Sequence, residues 1–252
     1  MNLGIKDKVA LVTGASKGIG RASALRLAEE GARVAIVART ADTLNTVISQ
    51  LAGPAGRHAS FALDLMTPEG IDQLIQGMRS GQGEPDIIVH NLGGSMGVFQ
   101  TMAPTADWQK VWQYNVGIVH ELNRHFLPSM VKRHWGRVVH LSTLSTKTHN
   151  GAAAYVSAKC ALDGYVKSVN REFSKNNVII SAVAPGAIYS EGRHFARISK
   201  EDPAALQDYF KNHLPIQRLG TAEDVAPVVS FLCSDFASFL AGSIVGIDGG
   251  GT

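Results

Sequence analysis

Tyr155 and Lys159 stand four residues apart in the run Ala154-Tyr155-Val156-Ser157-Ala158-Lys159. On a helix that spacing places both side chains on one face, where an ammonium favours the ionised form of a neighbouring phenol. A free tyrosine titrates at about pH 10 and is a poor acid or base at neutrality; a cation beside it corrects that. Taken alone, the pair is equally consistent with an exposed helix face. Ser142, thirteen residues earlier at the carboxyl end of an apolar run, supplies a hydroxyl that can donate to a carbonyl oxygen while Tyr155 gives or takes a proton. Alone, a serine that ends a strand also serves turn chemistry. The three together suit the polarising of a group that accepts hydride.

A second constellation lies near the start of the chain, in Thr13-Gly14-Ala15-Ser16-Lys17-Gly18-Ile19-Gly20. Gly14, Gly18 and Gly20 let the backbone turn tightly and approach a pyrophosphate, whose charge then faces the N–H groups of a helix start. A glycine-rich turn is weak testimony by itself, but this one joins an initial apolar strand to a helical pattern running to Glu30, which points to a dinucleotide. It lacks the Gly-Lys-Ser/Thr ending of a nucleoside-triphosphate loop. Ala38 stands at the end of the second strand, where folds that prefer NAD place an acid for the ribose hydroxyls. Arg39 follows, and its planar guanidinium can pair with a phosphate, with Lys17 as a second cation. Two cations without a carboxylate favour NADP(H) over NAD(H). If Arg39 only stacks on adenine and Lys17 points to water, either cofactor is accepted.

The elements that must hold these groups are legible as apolar, β-branched runs at 9–13, 33–38, 60–65, 86–90, 137–142, 178–184 and 244–247. Between them apolar residues recur at helical spacing, as at Ala24, Leu25 and Ala28, and in a long middle helix at Trp108, Val111, Trp112, Asn115, Val116 and Val119. Continuous apolar strands alternating with helices predict one doubly wound, Rossmann-type α/β domain over 1–252, a seven-stranded parallel sheet with helices on both faces. Ligands of such sheets sit beyond the carboxyl ends of the strands. Gly14, Arg39, Asp64, Asn91, Ser142, Pro185 and Gly186 all fall there.

Composition removes several rival classes. The net charge of +3, from 24 basic and 21 acidic residues with no basic block, argues against nucleic acid as a partner. No apolar stretch is long enough to cross a membrane, and residues 1–8 lack a signal-peptide core, so a cytoplasmic location is expected. Cys160 and Cys233 have no metal or redox spacing and read as buried small apolar residues; Cys160, close to Lys159, is the better candidate for reactivity. The nine histidines include no zinc-binding pair with an accompanying glutamate, and no Gly-x-Ser-x-Gly elbow occurs, so no metal is expected. His149 reads either as pocket lining or as an exposed loop residue.

Taken in order, Thr13 to Gly20, Asn91-Leu92-Gly93-Gly94, Asn115, Ser142, the Tyr155/Lys159 pair and Pro185-Gly186 resemble the short-chain dehydrogenase/reductase family over essentially the whole length. The resemblance implies that Tyr155 is the general acid or base, that Ser142 positions the substrate oxygen, and that Lys159 lowers the tyrosine pKa and binds the nicotinamide ribose. It implies that Asn115 kinks its helix and holds a relay water, and that Asn91 ties the sheet to the cofactor pocket. By the same resemblance, Ser16, Ile19 and Gly93 are expected to join the cofactor contacts with the turn glycines, Asp64 and Leu65 to contact adenine, and Pro185, Gly186, Ile188 and Ser190 to clamp the nicotinamide amide. Two departures stand out. His90-Asn91-Leu92-Gly93 replaces the family's usual Asn-Asn-Ala-Gly, and Ser190 stands where threonine is more usual.

The segment 187–213 carries Gly192 and a helix start at Glu201-Asp202-Pro203, and is expected to act as a substrate lid. Arg218 to Asp224 and the closing Asp248-Gly249-Gly250 resemble 3-oxoacyl-[acyl-carrier-protein] reductases and their relatives, which implies a small-molecule or carrier-linked carbonyl substrate. Trp112, His120, Asn123 and the stretch 143–150 fit that group less well, and a sugar or nucleotide-sugar dehydrogenase of a polysaccharide pathway is the alternative. A non-enzymatic cofactor sensor would need the glycine turn but not Ser142, Tyr155 and Lys159. Apolar excess along 108–130 and 152–170 predicts a homotetramer or homodimer.

Overall fold

A strand covered on both faces needs apolar side chains at nearly every position, and that composition decides the architecture. In the computed structural model, which describes residues 2–192 and 194–251, seven strands form one sheet. They are β1 (Val9–Thr13), β2 (Arg33–Ala38), β3 (Ala59–Ala62), β4 (Ile87–His90), β5 (Gly136–Leu141), β6 (Val178–Pro185) and β7 (Ile244–Ile247). Every pairing is parallel, in the order β3-β2-β1-β4-β5-β6-β7. The order reverses between β1 and β4, which opens a crevice at their carboxyl ends.

The helices are α1 (Gly18–Glu29), α2 (Ala41–Ile48), α3 (Pro68–Gly77), α4 (Thr105–Trp112), α5 (Ile118–Arg133), α6 (Ser145–Thr148), α7 (Ala153–Phe173), α8 (His194–Glu201), α9 (Pro203–His213) and α10 (Ala222–Leu232). Alternation along the strands sorts them into two layers. On one face Ala24 and Leu27 of α1 and Val225 and Val229 of α10 pack with Val12, Ile36, Val139 and Leu141. On the other, Leu74 of α3, Leu122 and Phe126 of α5 and Val166 of α7 pack with Leu11, Ile88, Val138 and Ile180. Each fully buried Val, Leu, Ile or Phe side chain among them contributes roughly 1.5–3 kcal/mol. The doubly wound sheet expected from the sequence is the one observed. No helix among the described residues is long and apolar enough to cross a membrane.

Three departures from the expected elements bear on the site. The third strand, expected over 60–65, ends at Ala62. One further ladder bond, from Leu63 N–H to the Ala38 carbonyl, closes it; the Asp64 carboxylate then accepts from Met66 N–H and starts the turn into α3. The fifth ends at Leu141 rather than Ser142. The middle helix is not continuous: a π-helical turn, Gln113–Gly117, separates α4 from α5. Val111, Asn115 and Val119 keep the inward stripe, whereas Trp112, about 100° round from Val111, is 48% exposed.

Candidate active site

The glycine turn is braced from the neighbouring strand. Asn91, just past β4, donates from Nδ2 to the Gly14 carbonyl at 2.9 Å, and its own N–H donates to Thr13 Oγ1 at 3.0 Å. Gly14 and Gly18 adopt left-handed backbone, φ +64° and +57°. A β-carbon on Gly20 would lie 2.6 Å from the Gly14 carbonyl oxygen, so only hydrogen fits where the turn doubles back. One on Gly18 would meet nothing nearer than Ser190 Oγ, at 3.9 Å. That leaves an open cradle at the start of α1, where helix N–H groups favour phosphate. Lys17 and Arg39, at its rim, are exposed, with no ion pair or side-chain hydrogen bond among the described residues.

Proton chemistry gathers at the carboxyl ends of β4 and β5. Lys159 is 2% exposed and its Nζ donates to the Leu141 carbonyl at 2.6 Å. Burial pushes its pKa down to about 8, with the Asp163 carboxylate pulling the other way. The ammonium lies 6.0 Å from the centre of the Tyr155 ring, as the shared helix face of α7 requires. Asn115 is fully buried: Oδ1 accepts from Gly94 N–H at 3.0 Å, and Nδ2 donates to the Gly94 and Val111 carbonyls at 2.9 and 2.8 Å. Its side-chain donors are therefore spent on the last turn of α4 and the loop after β4. Gly93 must stay bare, because a β-carbon there would fall 2.7 Å from Lys159 Nζ and 2.8 Å from Asn115 Oδ1.

Of the residues expected to act, Ile19, Asn91, Gly93, Ser142, Tyr155, Lys159, Pro185, Gly186 and Ile188 line one cleft of about 220 Å³. Asn115 sits behind it, and Gly14, Ser16, Lys17, Gly18 and Gly20 extend along the sheet edge with Arg39, Asp64 and Ser190. The Leu65 side chain is 3% exposed within the core, so any contact it makes with the cofactor falls to its backbone. Gly186 has a structural reason of its own, since a β-carbon would sit 2.8 Å from Asp248 Cα. Ile188 bridges to Gly220, with Tyr189 N–H donating to the Gly220 carbonyl at 2.8 Å, so the segment that follows hinges from a fixed point.

Of the two readings of His149, the structure takes the exposed one. The residue caps α6 in left-handed backbone and does not line the cleft. Cys160 is half-buried rather than buried and its thiol is shifted upward by burial and by Asp163, the opposite of an activated nucleophile. Ser142 is only 5% exposed, and its hydroxyl donates to the Asp163 carboxylate. Two cleft-side features were missed. Thr143, half-exposed, lines the same cleft, and Asp163 follows Tyr155 and Lys159 at successive i+4 steps, a spacing the sequence displays.

The glycine cradle, the bare Gly93 and the buried ammonium fit a nicotinamide dinucleotide lying across the sheet edge. A family model described as enoyl-(acyl carrier protein) reductase matches residues 14–252. The chain is 32% identical over 252 residues to a 3-oxoacyl-[acyl-carrier-protein] reductase of Aquifex aeolicus, covering 99% of each. Among solved structures it resembles L-sorbose reductase from Gluconobacter frateurii complexed with NADPH and L-sorbose, with a TM-score of 0.91 and 32% identity over 100% of this chain and 98% of that one. It also resembles a 7α-hydroxysteroid dehydrogenase complexed with NADH and 7-oxo glycochenodeoxycholic acid, with a TM-score of 0.88 and 29% identity over 100% and 96%. Matched from the glycine turn to its last residue, the chain belongs to the short-chain dehydrogenase/reductase family.

Proposed function

We propose that the protein interconverts a carbonyl and a secondary alcohol with NADP(H), and that Tyr155 transfers the proton. The observation that carries this reading is the buried Lys159 ammonium, fixed on the Leu141 carbonyl beside Tyr155 in a cleft that runs on to the glycine cradle. When bound, NADPH supplies a hydride to the carbonyl carbon. As charge develops on the carbonyl oxygen, Tyr155 delivers a proton to it, and the Lys159 ammonium stabilises the phenolate left behind. Asn115 holds the loop after β4 so that Gly93 and Gly94 leave room for the cofactor. Ile19, Pro185, Gly186 and Ile188 supply an apolar wall that keeps water from the reacting atoms. Exposed Arg39 and Lys17, with Ala38 in place of an acid, suit the 2′-phosphate.

The chain acts as one domain, with 187–213 as its lid. There Phe195 and Ile198 of α8 pack against a small cluster, Ala187, Leu206, Phe210 and Leu214, built around α9 and separate from the two main cores. The substrate favoured is a 3-oxoacyl thioester or similar β-keto compound, in keeping with the Aquifex relative. The likeness to L-sorbose reductase, at the same identity, supports a ketose as the second reading. Loss of NADPH absorbance with acetoacetyl thioester, keto esters and L-sorbose tests both, and no turnover of any carbonyl would refute the assignment. We place the enzyme in the cytoplasm as a homotetramer or homodimer joined through α4, α5 and α7, where Trp112 stands exposed. A monomeric mass by light scattering at micromolar concentration would contradict that assembly.

A further inference from the structure

Past the end of β5 the chain keeps its pairing: Ser142 N–H donates to the Val183 carbonyl at 2.8 Å, and Leu144 N–H to the Pro185 carbonyl at 2.9 Å. Side chains therefore go on alternating between the two faces of the sheet. Ser142 has the parity of His140, which packs edge-on against Tyr165 of α7 with ring centres 6.1 Å apart. It meets Asp163 of that same helix. Thr143 has the opposite parity.

The two hydroxyls differ in what holds their protons. A serine hydroxyl has a single proton, and that of Ser142 is given to a carboxylate. Hydrogen bonds to ionised acceptors are roughly twice as strong as neutral ones, so a neutral ketone oxygen competes poorly for it. Turning Ser142 toward substrate would also strip Asp163, which has no other side-chain hydrogen bond among the described residues. The Thr143 hydroxyl accepts from Ser145 N–H at 3.3 Å, and its proton has only Ser145 Oγ at 3.4 Å, well beyond the roughly 2.5–3.0 Å of a good O–H···O bond. That proton is available. Thr143 is half-exposed where Ser142 is buried, and it lines the cleft with Tyr155 and Lys159.

We infer that Thr143, not Ser142, presents the hydroxyl that polarises the substrate carbonyl, and that Ser142 and Asp163 form a strut fixing this segment onto α7. The inference rests on the carbonyl-reductase reading and changes which side chain touches the oxygen. Thr143 donates a hydrogen bond and gives up no proton; the proton that completes the alcohol comes from Tyr155. Asp163, one turn beyond Lys159, acts through the strut and through its charge on that ammonium.

The test compares Thr143→Val, Thr143→Ser, Ser142→Ala, Asp163→Asn and Tyr155→Phe with wild type, using ethyl acetoacetate, the carbonyl panel above and NADPH fluorescence for cofactor affinity. Thr143→Val should lower kcat by about 10²–10³-fold with NADPH affinity intact, the loss typical of one oxyanion donor. Thr143→Ser should recover activity to within roughly tenfold of wild type, and Ser142→Ala should cost less than about tenfold. Asp163→Asn keeps an acceptor for Ser142 but removes the charge, so the alkaline limb of kcat should move to lower pH. A Ser142→Ala variant that binds NADPH but loses about 10²-fold, beside a Thr143→Val variant retaining half its activity, would overturn the assignment. An unmoved alkaline limb in Asp163→Asn would overturn the role given to Asp163. With wild type active and Tyr155→Phe inactive, either result leaves the carbonyl-reductase reading standing. A wild type inert to every carbonyl sinks that reading, and this inference with it.

Discussion

Replacing Lys159 by methionine should abolish turnover and yet change how stability depends on pH in a calculable way. The side chain is 2% exposed, and burial lowers its pKa from 10.5 to about 8. At about 1.4 kcal/mol per pH unit, the buried ammonium costs the native state about 3 kcal/mol relative to the unfolded chain. Between pH 8 and 10.5 the unfolded chain binds this proton and the native chain does not, so stability from this group rises with pH across that window. Lys159→Met removes the cost but leaves the Leu141 carbonyl without its donor, a loss of about 1–3 kcal/mol. At neutral pH the variant should therefore be as stable as wild type or more stable by up to about 2 kcal/mol. Urea unfolding of both proteins at pH values from neutral to alkaline reads the difference, in which contributions from all other titrating groups cancel. The advantage of the variant should shrink by about 3 kcal/mol as pH climbs through the window. Parallel stability curves, or a variant several kcal/mol weaker at neutral pH, would show that the ammonium is not buried at a cost.

Tyr155→Phe keeps the ring and removes the proton donor, so turnover should fall by about 10² to 10⁴-fold while NADPH binding, followed by fluorescence, persists; a variant with half its activity would refute the role. The double change Ala38→Asp with Arg39→Ala should reverse cofactor preference, measured as kcat/KM with NADPH against NADH, and a wild type that prefers NADH would show the charge reading wrong. Gly20→Ala should weaken NADPH binding and lower Tm together, because the new β-carbon meets the Gly14 carbonyl, which belongs to backbone and cannot swing aside. Unchanged binding and Tm would mean the turn is looser than it stands here.

The sheet was readable in the sequence because strands buried on both faces leave unbroken β-branched runs: β1, β2 and β7 fall where the residues place them. The end of β3 was not, since Leu63 and Leu65 continue an apolar pattern that only the Asp64 turn interrupts. Helix α8 also escaped notice. Its sequence is polar, and Ala196 is its one buried residue. The glycine turn and the Tyr155/Lys159 pair are local spacings and were visible at once. The bond between Ser142 and Asp163 joins residues 21 apart on different elements, and only the docking of α7 against the sheet brings them together. The surroundings of Cys160 were hidden for a related reason: the neighbouring lysine points inward to the Leu141 carbonyl, and burial and Asp163 set the thiol's electrostatics.

Lys17 and Arg39 stand in solvent at the rim of the cradle, whereas Lys159 and Asn115 are locked into the interior. The two kinds of residue are therefore under different constraints when they mutate. A change at Lys159 or Asn115 strands buried hydrogen-bond partners and removes a group on which the proton chemistry depends, so activity does not survive there even where the fold does. A change at Lys17 or Arg39 touches no core contact, and surface substitutions of that kind usually lie within about 0.5 kcal/mol of neutral. Cofactor preference in this protein is thus a nearly independent variable, free to be retuned by single steps to match whichever nicotinamide pool a cell keeps reduced, while fold and proton transfer stay as they are.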